Sequence, residues 1–181
     1  MILRLGAGGL ALFLLAGCTA PPLTYTSRTL DKTRHVAILP FLDYKESNNS
    51  GQLVTNLFTM YFLQNGVKVA EREKINQVIL EKGMDLAGFN EKSAQEFGQV
   101  LNVDYILIGA VTDYTSYSTS RKLFYIFEWM QIIGTVGVTA RLIDVRAGEI
   151  IWVGTASEKS YSFNDAADQV VGTLFQTMRL Q

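Results

Sequence analysis

The most reactive group in this sequence is the thiol of Cys18, the only cysteine among 181 residues. It follows the apolar run 10–15 and two small residues, and Arg4 supplies a positive charge near the start. A basic residue, a short apolar stretch and small residues are the three parts of a secretory signal peptide. Because the apolar stretch is far shorter than the roughly 20 residues of a membrane-spanning helix, we predict a cleaved signal at residues 1–17.

The residues around the cysteine also predict the fate of its thiol. Leu15-Ala16-Gly17-Cys18 resembles a lipobox, in which the thiol is acylated, as with palmitate, and the peptide is cut just before it. An ordinary secretory signal with a coincidental cysteine is the alternative. Thr19, rather than an aspartate, comes next. By the sorting pattern of such lipoproteins, this residue predicts an anchor in the outer membrane and a domain that faces the periplasm.

Composition limits the classes of protein that this chain can be. Without residues 1–17 the net charge is about −2, which gives no basic surface for nucleic acid. An acylated Cys18 leaves no thiol for a disulfide or a metal site, and His35, the one histidine, lacks a second ligand. No serine or cysteine nucleophile has a histidine partner in a recognisable motif. We therefore expect no metal, no cofactor and no enzymatic activity.

Hydrophobic periodicity predicts one α/β domain at residues 35–181, behind an extended tether at residues 18–34 that has no helical or strand period. The domain is predicted to be a single mixed β-sheet of about five strands packed by about four helices. The predicted strands are 35–42, 67–70, 104–111, 132–145 and 149–153, and the predicted helices are 53–65, 71–82, 91–101 and 164–178.

The most unusual segment of the domain is an aromatic insert at residues 114–131. Whether it forms a strand or a short helix, several large rings are exposed on one side or the other. Such rings favour contact with a membrane interface or with a neighbouring subunit, and two basic residues beside them could meet anionic head groups. A loop folded back over the core is the alternative. The candidate contact residues are Arg121, Lys122, Phe124, Tyr125, Phe127 and Trp129.

Five segments together resemble one family, the CsgG-like superfamily of outer-membrane lipoproteins. They are Ala37-Ile38-Leu39-Pro40-Phe41, 69–82, 104–109, 138–144 and Gly148-Glu149-Ile150-Ile151-Trp152. The superfamily includes the curli secretion channel, the activators of penicillin-binding proteins and the PelC lipoproteins of Pel exopolysaccharide secretion. The resemblance covers most of residues 35–178 and is strongest to the PelC branch. It implies a fold similar to CsgG and to anticodon-binding domains.

The resemblance to PelC lipoproteins implies a lipid-anchored accessory subunit that assembles into a homo-oligomer, as a ring, and assists secretion of a polymer of the Pel exopolysaccharide type in biofilms. An outer-membrane secretion partner is implied as well. In such a ring, acidic residues from successive subunits would form a negative mouth for a cationic polymer. The candidate polymer-facing acids are Asp43, Glu46, Asp113 and Asp144.

Two other members of the superfamily supply the alternatives. The first is a regulatory lipoprotein that binds a cell-wall synthase or another envelope machine. The tether 18–34, about 50 Å when extended at roughly 3.1 Å per residue, is short for a domain that must cross the peptidoglycan. The second alternative, ranked third after the other two functions, is a curli-type channel subunit, which needs two long hairpins. Here 112–131 is the one sizeable insert, and 157–163 is too short for a second.

Overall fold

The computed structural model describes residues 21–45, 47–123 and 127–181, with side chains outside 121–129. The predictions for Cys18, Glu46, Phe124 and Tyr125 lie outside the described residues. The elements are β1 Leu23–Thr26, β2 His35–Ile38, α1 Ser50–Gln64, β3 Lys68–Val69, α2 Arg72–Lys82, α3 Glu91–Leu101, β4 Tyr105–Leu123, β5 Phe127–Asp144, β6 Glu149–Ser160 and α4 Phe163–Gln176.

The strands form one mixed six-stranded sheet in the order β1-β6-β5-β4-β2-β3. Strand β2 runs parallel to β3 and β4, and the other pairs are antiparallel. The predicted fold class is therefore confirmed, with one strand more than the pattern indicated.

Each face of the sheet packs against a pair of helices. Helices α1 and α4 cover the face that carries Leu107, Val138 and Trp152, and α2 and α3 cover part of the opposite face, over Ile106 and Ile143. Trp152 is 1% exposed, and its indole N–H donates a hydrogen bond to Thr177 Oγ1 at 2.9 Å, which satisfies the one polar atom of that side chain.

Local signals in the sequence explain where the helices begin and end. The side chain of Asn90 accepts a hydrogen bond from the backbone N–H of Ser93 at 2.9 Å and caps α3. Gly83 ends α2 with a φ of +58°, a left-handed conformation that favours glycine. The residue before α1, Asn49, gives no side-chain cap. The carboxylate of Asp43 accepts a hydrogen bond from the first turn of α1 instead.

The predicted tether at residues 18–34 differs from the structure. Residues Leu23–Thr26 form strand β1, an edge strand paired antiparallel with β6. Leu30 is fully buried, and its backbone N–H donates to the carbonyl of Arg179 at 3.0 Å. The globular domain thus begins near residue 23 rather than 35, because a long β6 offers an edge on which four alternating residues can pair.

The described part of the aromatic insert, residues 114–123 and 127–131, belongs to the paired strands β4 and β5. Strands β4 and β5 have 19 and 18 residues, so both extend well past the predicted 104–111 and 132–145. The register places Arg121 opposite Trp129 and Leu123 opposite Phe127. The alternative of a loop folded over the core is wrong for the described part of the insert, since residues 114–123 and 127–131 pair as strands.

Candidate assembly and membrane-facing surfaces

The distal part of the β4–β5 hairpin is a two-stranded ribbon. Strand β6 ends at Ser160, opposite Gly134 of β5, and beyond that pair β4 and β5 continue with only each other as described neighbours. The ribbon thus consists of residues 116–123 and 127–134. Arg121, Lys122, Phe127 and Trp129 occupy adjacent cross-strand positions near its end, and their role as contact residues stays a prediction.

The described side chains of the ribbon are apolar or uncharged, and several are exposed. Met130 is 75% exposed, Ile132 62% and Tyr117 48%. Residues 116–120 and 130–134 carry no charged side chain. Sequence reasoning did not select these three residues, although the apolar composition of 130–133 was a usable signal. Met130 and Ile132 share one face of the ribbon, and Tyr117, which pairs with Ile133, lies on the other face. Exposed apolar residues of this kind are typical of a contact site rather than of a solvated surface.

The base of the ribbon is fixed to α4 by aromatic stacking. The rings of Tyr114 and Phe163 lie 4.1 Å apart between centroids and nearly parallel, at 8°. Gly134 allows this packing, because a Cβ there would lie 3.1 Å from the Phe163 ring. Burial raises the pKa of the Tyr114 phenol. The ribbon therefore extends from a base that is packed against the first residue of α4.

A second exposed surface is the part of the sheet that α2 and α3 leave uncovered. Directly opposite residues share a face of a sheet, so the pairing of Leu23 with Thr155, and of Thr155 with Thr139, places all three on this side. Tyr25 and Val153 form the next row. Leu23 is 78% exposed and Tyr25 60%. We call this surface, Leu23, Tyr25, Thr139, Val153 and Thr155, the open face.

An apolar groove of about 350 Å³ continues the open face toward β4. Its lining includes Leu42, Leu86, Ile108 and Val153. The guanidinium of Arg141 borders the groove and donates a hydrogen bond to the backbone carbonyl of Phe89. The open face and its groove thus offer an apolar surface that runs from β1 to β4.

Asp43 is bound at the N-terminus of α1. Its Oδ1 accepts a hydrogen bond from the backbone N–H of Gly51 at 2.7 Å and from the Ser50 hydroxyl at 3.3 Å. A carboxylate at this position also complements the positive end of the helix dipole. Gly51 is needed there, because a Cβ would lie 2.0 Å from the carbonyl oxygen of Phe41. Asp43 thus has a structural task beside any contact with a ligand.

The predicted acids do not form one cluster. Asp113 follows a register shift in β4, and its Oδ1 accepts from the Thr115 hydroxyl at 2.8 Å. The segment of Asp113 is joined to that of Asp43, because the backbone N–H of Val111 donates to the carbonyl of Leu42 at 2.9 Å. Asp144 pairs with Tyr105 at the far end of β4, about 25 Å of strand from Asp113.

Asp144 is committed to the turn between β5 and β6. It is 7% exposed, and its Oδ1 accepts from the backbone N–H groups of Arg146 at 2.9 Å and Ala147 at 3.0 Å. Because both bonds close the turn, its carboxylate has little capacity left for a polymer. The placement of Asp144 therefore gives no support to its prediction as a polymer-facing acid.

The end of the sheet near Asp144 carries charges of both signs. A cleft of about 500 Å³ there includes Arg28, Arg34 and Arg179 in its lining. Arg28 pairs with Glu149 at 3.2 Å and Arg34 with Asp31 at 3.4 Å. Hydrogen bonds from Thr33 hold the pKa of Asp31 below its usual value. Because exposed pairs of this kind contribute little, the cleft is a solvated charged surface.

The described residues contain no group of three or more histidine, cysteine, aspartate and glutamate side chains placed to hold a metal ion. The one histidine, His35, opens β2, and its backbone N–H donates to Asp104 Oδ2 at 3.2 Å. Within the described ranges, each helix is too short or too polar to cross a membrane.

Comparison with known proteins supplies a family model and two solved folds. The model described as "Curli production assembly/transport component CsgG" matches residues 28–175. The chain is similar to the PelC dodecamer from Paraburkholderia phytofirmans, with 17% identity over 88% of this chain and 97% of that chain and a TM-score of 0.61. It is also similar to lipoprotein GNA1162 from Neisseria meningitidis, with 20% identity over 80% and 94% and a TM-score of 0.55. No curated protein matches the chain.

Proposed function

The chain belongs to the CsgG family of curli production assembly and transport components, and from that premise we propose that it is an accessory subunit of polymer secretion. It is anchored to the outer membrane through acylated Cys18, with its domain on the periplasmic side. It assembles into a ring of identical subunits. The polymer is an exopolysaccharide of the Pel type, and the subunit acts without catalysis.

The observation that carries the proposal is the shared fold with a PelC subunit that forms a dodecamer, of whose chain 97% is covered. At 17% identity, the similarity shows a common fold alone. The ring is our extension of that dodecamer to this chain. The exposed apolar surfaces support that extension, because a lone domain would leave them in water.

The ring requires two different contact surfaces on each subunit, since heterologous contacts around a closing rotation generate a ring. The open face, with Tyr25 at 60% exposure, supplies one such surface. We propose that the predicted contact residues meet a neighbouring subunit or the membrane; they are Arg121, Lys122, Phe124, Tyr125, Phe127 and Trp129.

We assign contact with the polymer to the acidic residues near the C-terminal end of β2. Asp43 and Asp113 belong to segments that the backbone hydrogen bond from Val111 to Leu42 joins, and Glu46 follows Asp43 in the same polar loop. Repeated around a ring, these carboxylates would concentrate negative charge and attract a cationic polymer. Asp144 is left out of this role, because it is only 7% exposed, whereas Asp43 is exposed.

Deletion of the gene in its host, with complementation, tests the proposed function. We expect loss of surface polymer in the deletion strain, restoration by the intact chain, and no restoration by Cys18→Ala, which cannot be acylated. Cross-linking of the peptidoglycan is measured in the same strains as the control. Normal polymer export together with altered cross-linking would contradict the proposal and would identify a regulator of cell-wall synthesis instead.

A further inference from the structure

The anchor and the ribbon are at the same end of the sheet. Strand β1 runs antiparallel to β6, with Leu23 opposite Thr155 and Thr26 opposite Trp152. Strand β6 proceeds from Trp152 toward Ser160, where the ribbon begins. The chain therefore enters β1 from the end at which β4 and β5 extend as the ribbon, and Cys18 precedes Leu23 by only a few residues.

The ribbon is longer than the segment that links Cys18 to the sheet. Leu23 is five positions after Cys18 in the sequence, and a chain spans at most about 3.6 Å per residue, or about 18 Å here. Leu23 lies in the row of Thr155 and Thr139. From Thr139, β5 continues for about 40 Å to Phe127 at roughly 3.3 Å per residue. The end of the ribbon thus extends about 20 Å past the farthest position that Cys18 can reach.

From this difference in length we propose that the β4–β5 ribbon lies in the interfacial zone of the bilayer that holds Cys18. The inference rests on the acylation of Cys18 in the proposed function. If the strands are perpendicular to the membrane plane, the pair formed by Tyr117 and Ile133 lies about 20 Å from Leu23 in the direction of the bilayer. That is the same depth as the farthest position of the lipid-modified Cys18. To keep the ribbon wholly in water, the strands would have to lie within about 30° of the membrane plane.

The side chains of the ribbon suit this environment. Tyrosine is enriched at membrane interfaces because its ring is apolar and its hydroxyl is polar, and Tyr117 is 48% exposed at that level. Met130 and Ile132, farther along, are 75% and 62% exposed. No charged side chain occurs at 116–120 or 130–134, so burial of these residues among lipid head groups desolvates no ion.

The backbone of the ribbon limits how deep it goes. In the described residues, the outer edges of β4 and β5 have no strand partner past the Ser160–Gly134 pair. Each unpaired backbone group in hydrocarbon costs several kcal/mol, whereas head groups and their water can satisfy it. In a single subunit the ribbon therefore lies in the interface, where head groups and water can satisfy its edges.

Labelled cysteines in the full acylated protein test this inference. Met130→Cys places an environment-sensitive fluorophore on the ribbon, and Leu80→Cys, at an 81% exposed position on α2, is the matched control. The proteins are reconstituted in vesicles of phosphatidylethanolamine and phosphatidylglycerol. A lipid with a nitroxide on its head group and aqueous iodide are the two quenchers. We expect the lipid to quench the label at 130 at least threefold more than the label at 80, and iodide to show the reverse order.

Three results would overturn parts of the proposal, and they are distinguishable. Equal iodide quenching at both positions would show that the ribbon is in water. Protection from iodide at 130 without quenching by the lipid would show that the ribbon contacts another copy of the chain instead. Failure of the protein to float with the vesicles would contradict the lipid anchor itself, on which both this inference and the proposed function rest.

Discussion

Replacement of Asp144 by alanine is expected to destabilise the domain strongly. The carboxylate accepts backbone N–H groups from Arg146 and Ala147 at 2.9 and 3.0 Å and is 7% exposed. Hydrogen bonds to a charged group contribute about 1.5–3 kcal/mol each. Two bonds that share one carboxylate are not fully additive, so we expect a loss of about 3 kcal/mol in the free energy of unfolding. In a domain of this size that lowers Tm by about 6–12 °C.

Urea unfolding followed by tryptophan fluorescence measures the effect, because Trp152 is 1% exposed in the folded protein and becomes solvated on unfolding. Asp144→Asn, which keeps one accepting oxygen, is expected to lose about half as much. Asp113→Ala is the matched control, since its carboxylate accepts one hydrogen bond, from the Thr115 hydroxyl; we expect a change of about 0.5 kcal/mol or less. Equal stability of the Asp144→Ala and Asp113→Ala variants would refute the structural role of Asp144.

Three further predictions concern packing, capping and pH. Gly98→Ala should lower the free energy of unfolding by about 1–3 kcal/mol, because the new Cβ would lie 2.4 Å from a methyl carbon of Val145. In a double-mutant cycle measured by urea unfolding, Val145→Ala should recover at least half of that loss. Simple additivity of the two substitutions would contradict the clash. Asn90→Ala should lower unfolding free energy by about 1 kcal/mol, because it removes the cap of α3, while Asn90→Ser should restore most of it; equal stability of the two variants in thermal melts would contradict the cap. Burial raises the pKa of Tyr61, and Asp168 adds to the rise, so the folded protein should lose stability as the pH increases above about 10. Tyr61→Phe should reduce that loss in urea titrations at alkaline pH. An unchanged pH profile of stability in this variant would contradict the role of Tyr61.

The segments with strong local signals could be predicted from the sequence. Helix α3 begins after Asn90 and ends at Leu101 as expected, because a capping side chain and an apolar stripe act within the helix itself. The strand predicted at 149–153 forms the first part of β6. The mixed sheet follows from the order of these elements.

The segments that depend on distant partners could not be predicted. Residues 116–120 read Ser-Tyr-Ser-Thr-Ser, which has no apolar alternation, and they are a strand because 130–134 pair with them. Strand β1 has only four residues and needs the extended β6 beside it. In both cases the stabilising hydrogen bonds come from residues far away in the chain, which local periodicity does not report.

The candidate site shows the same division. Asp144 comes just before the tight turn that contains Gly148, and this position was a usable signal for its structural role. Aspartate side chains accept hydrogen bonds from backbone N–H groups in turns. Tyr25 gave no such signal, because its exposure on the open face depends on the area that α2 and α3 leave uncovered.

The mass of the mature acylated protein, measured by native mass spectrometry from detergent over a hundredfold range of concentration, tests the central claim most directly. The ring predicts one stoichiometry, larger than a dimer, that persists on dilution. Tyr25→Asp on the open face should reduce it to smaller species, while Leu80→Asp, at another highly exposed apolar position, should leave it intact. A monomer at every concentration would contradict the account of this chain as a ring-forming subunit of polymer secretion.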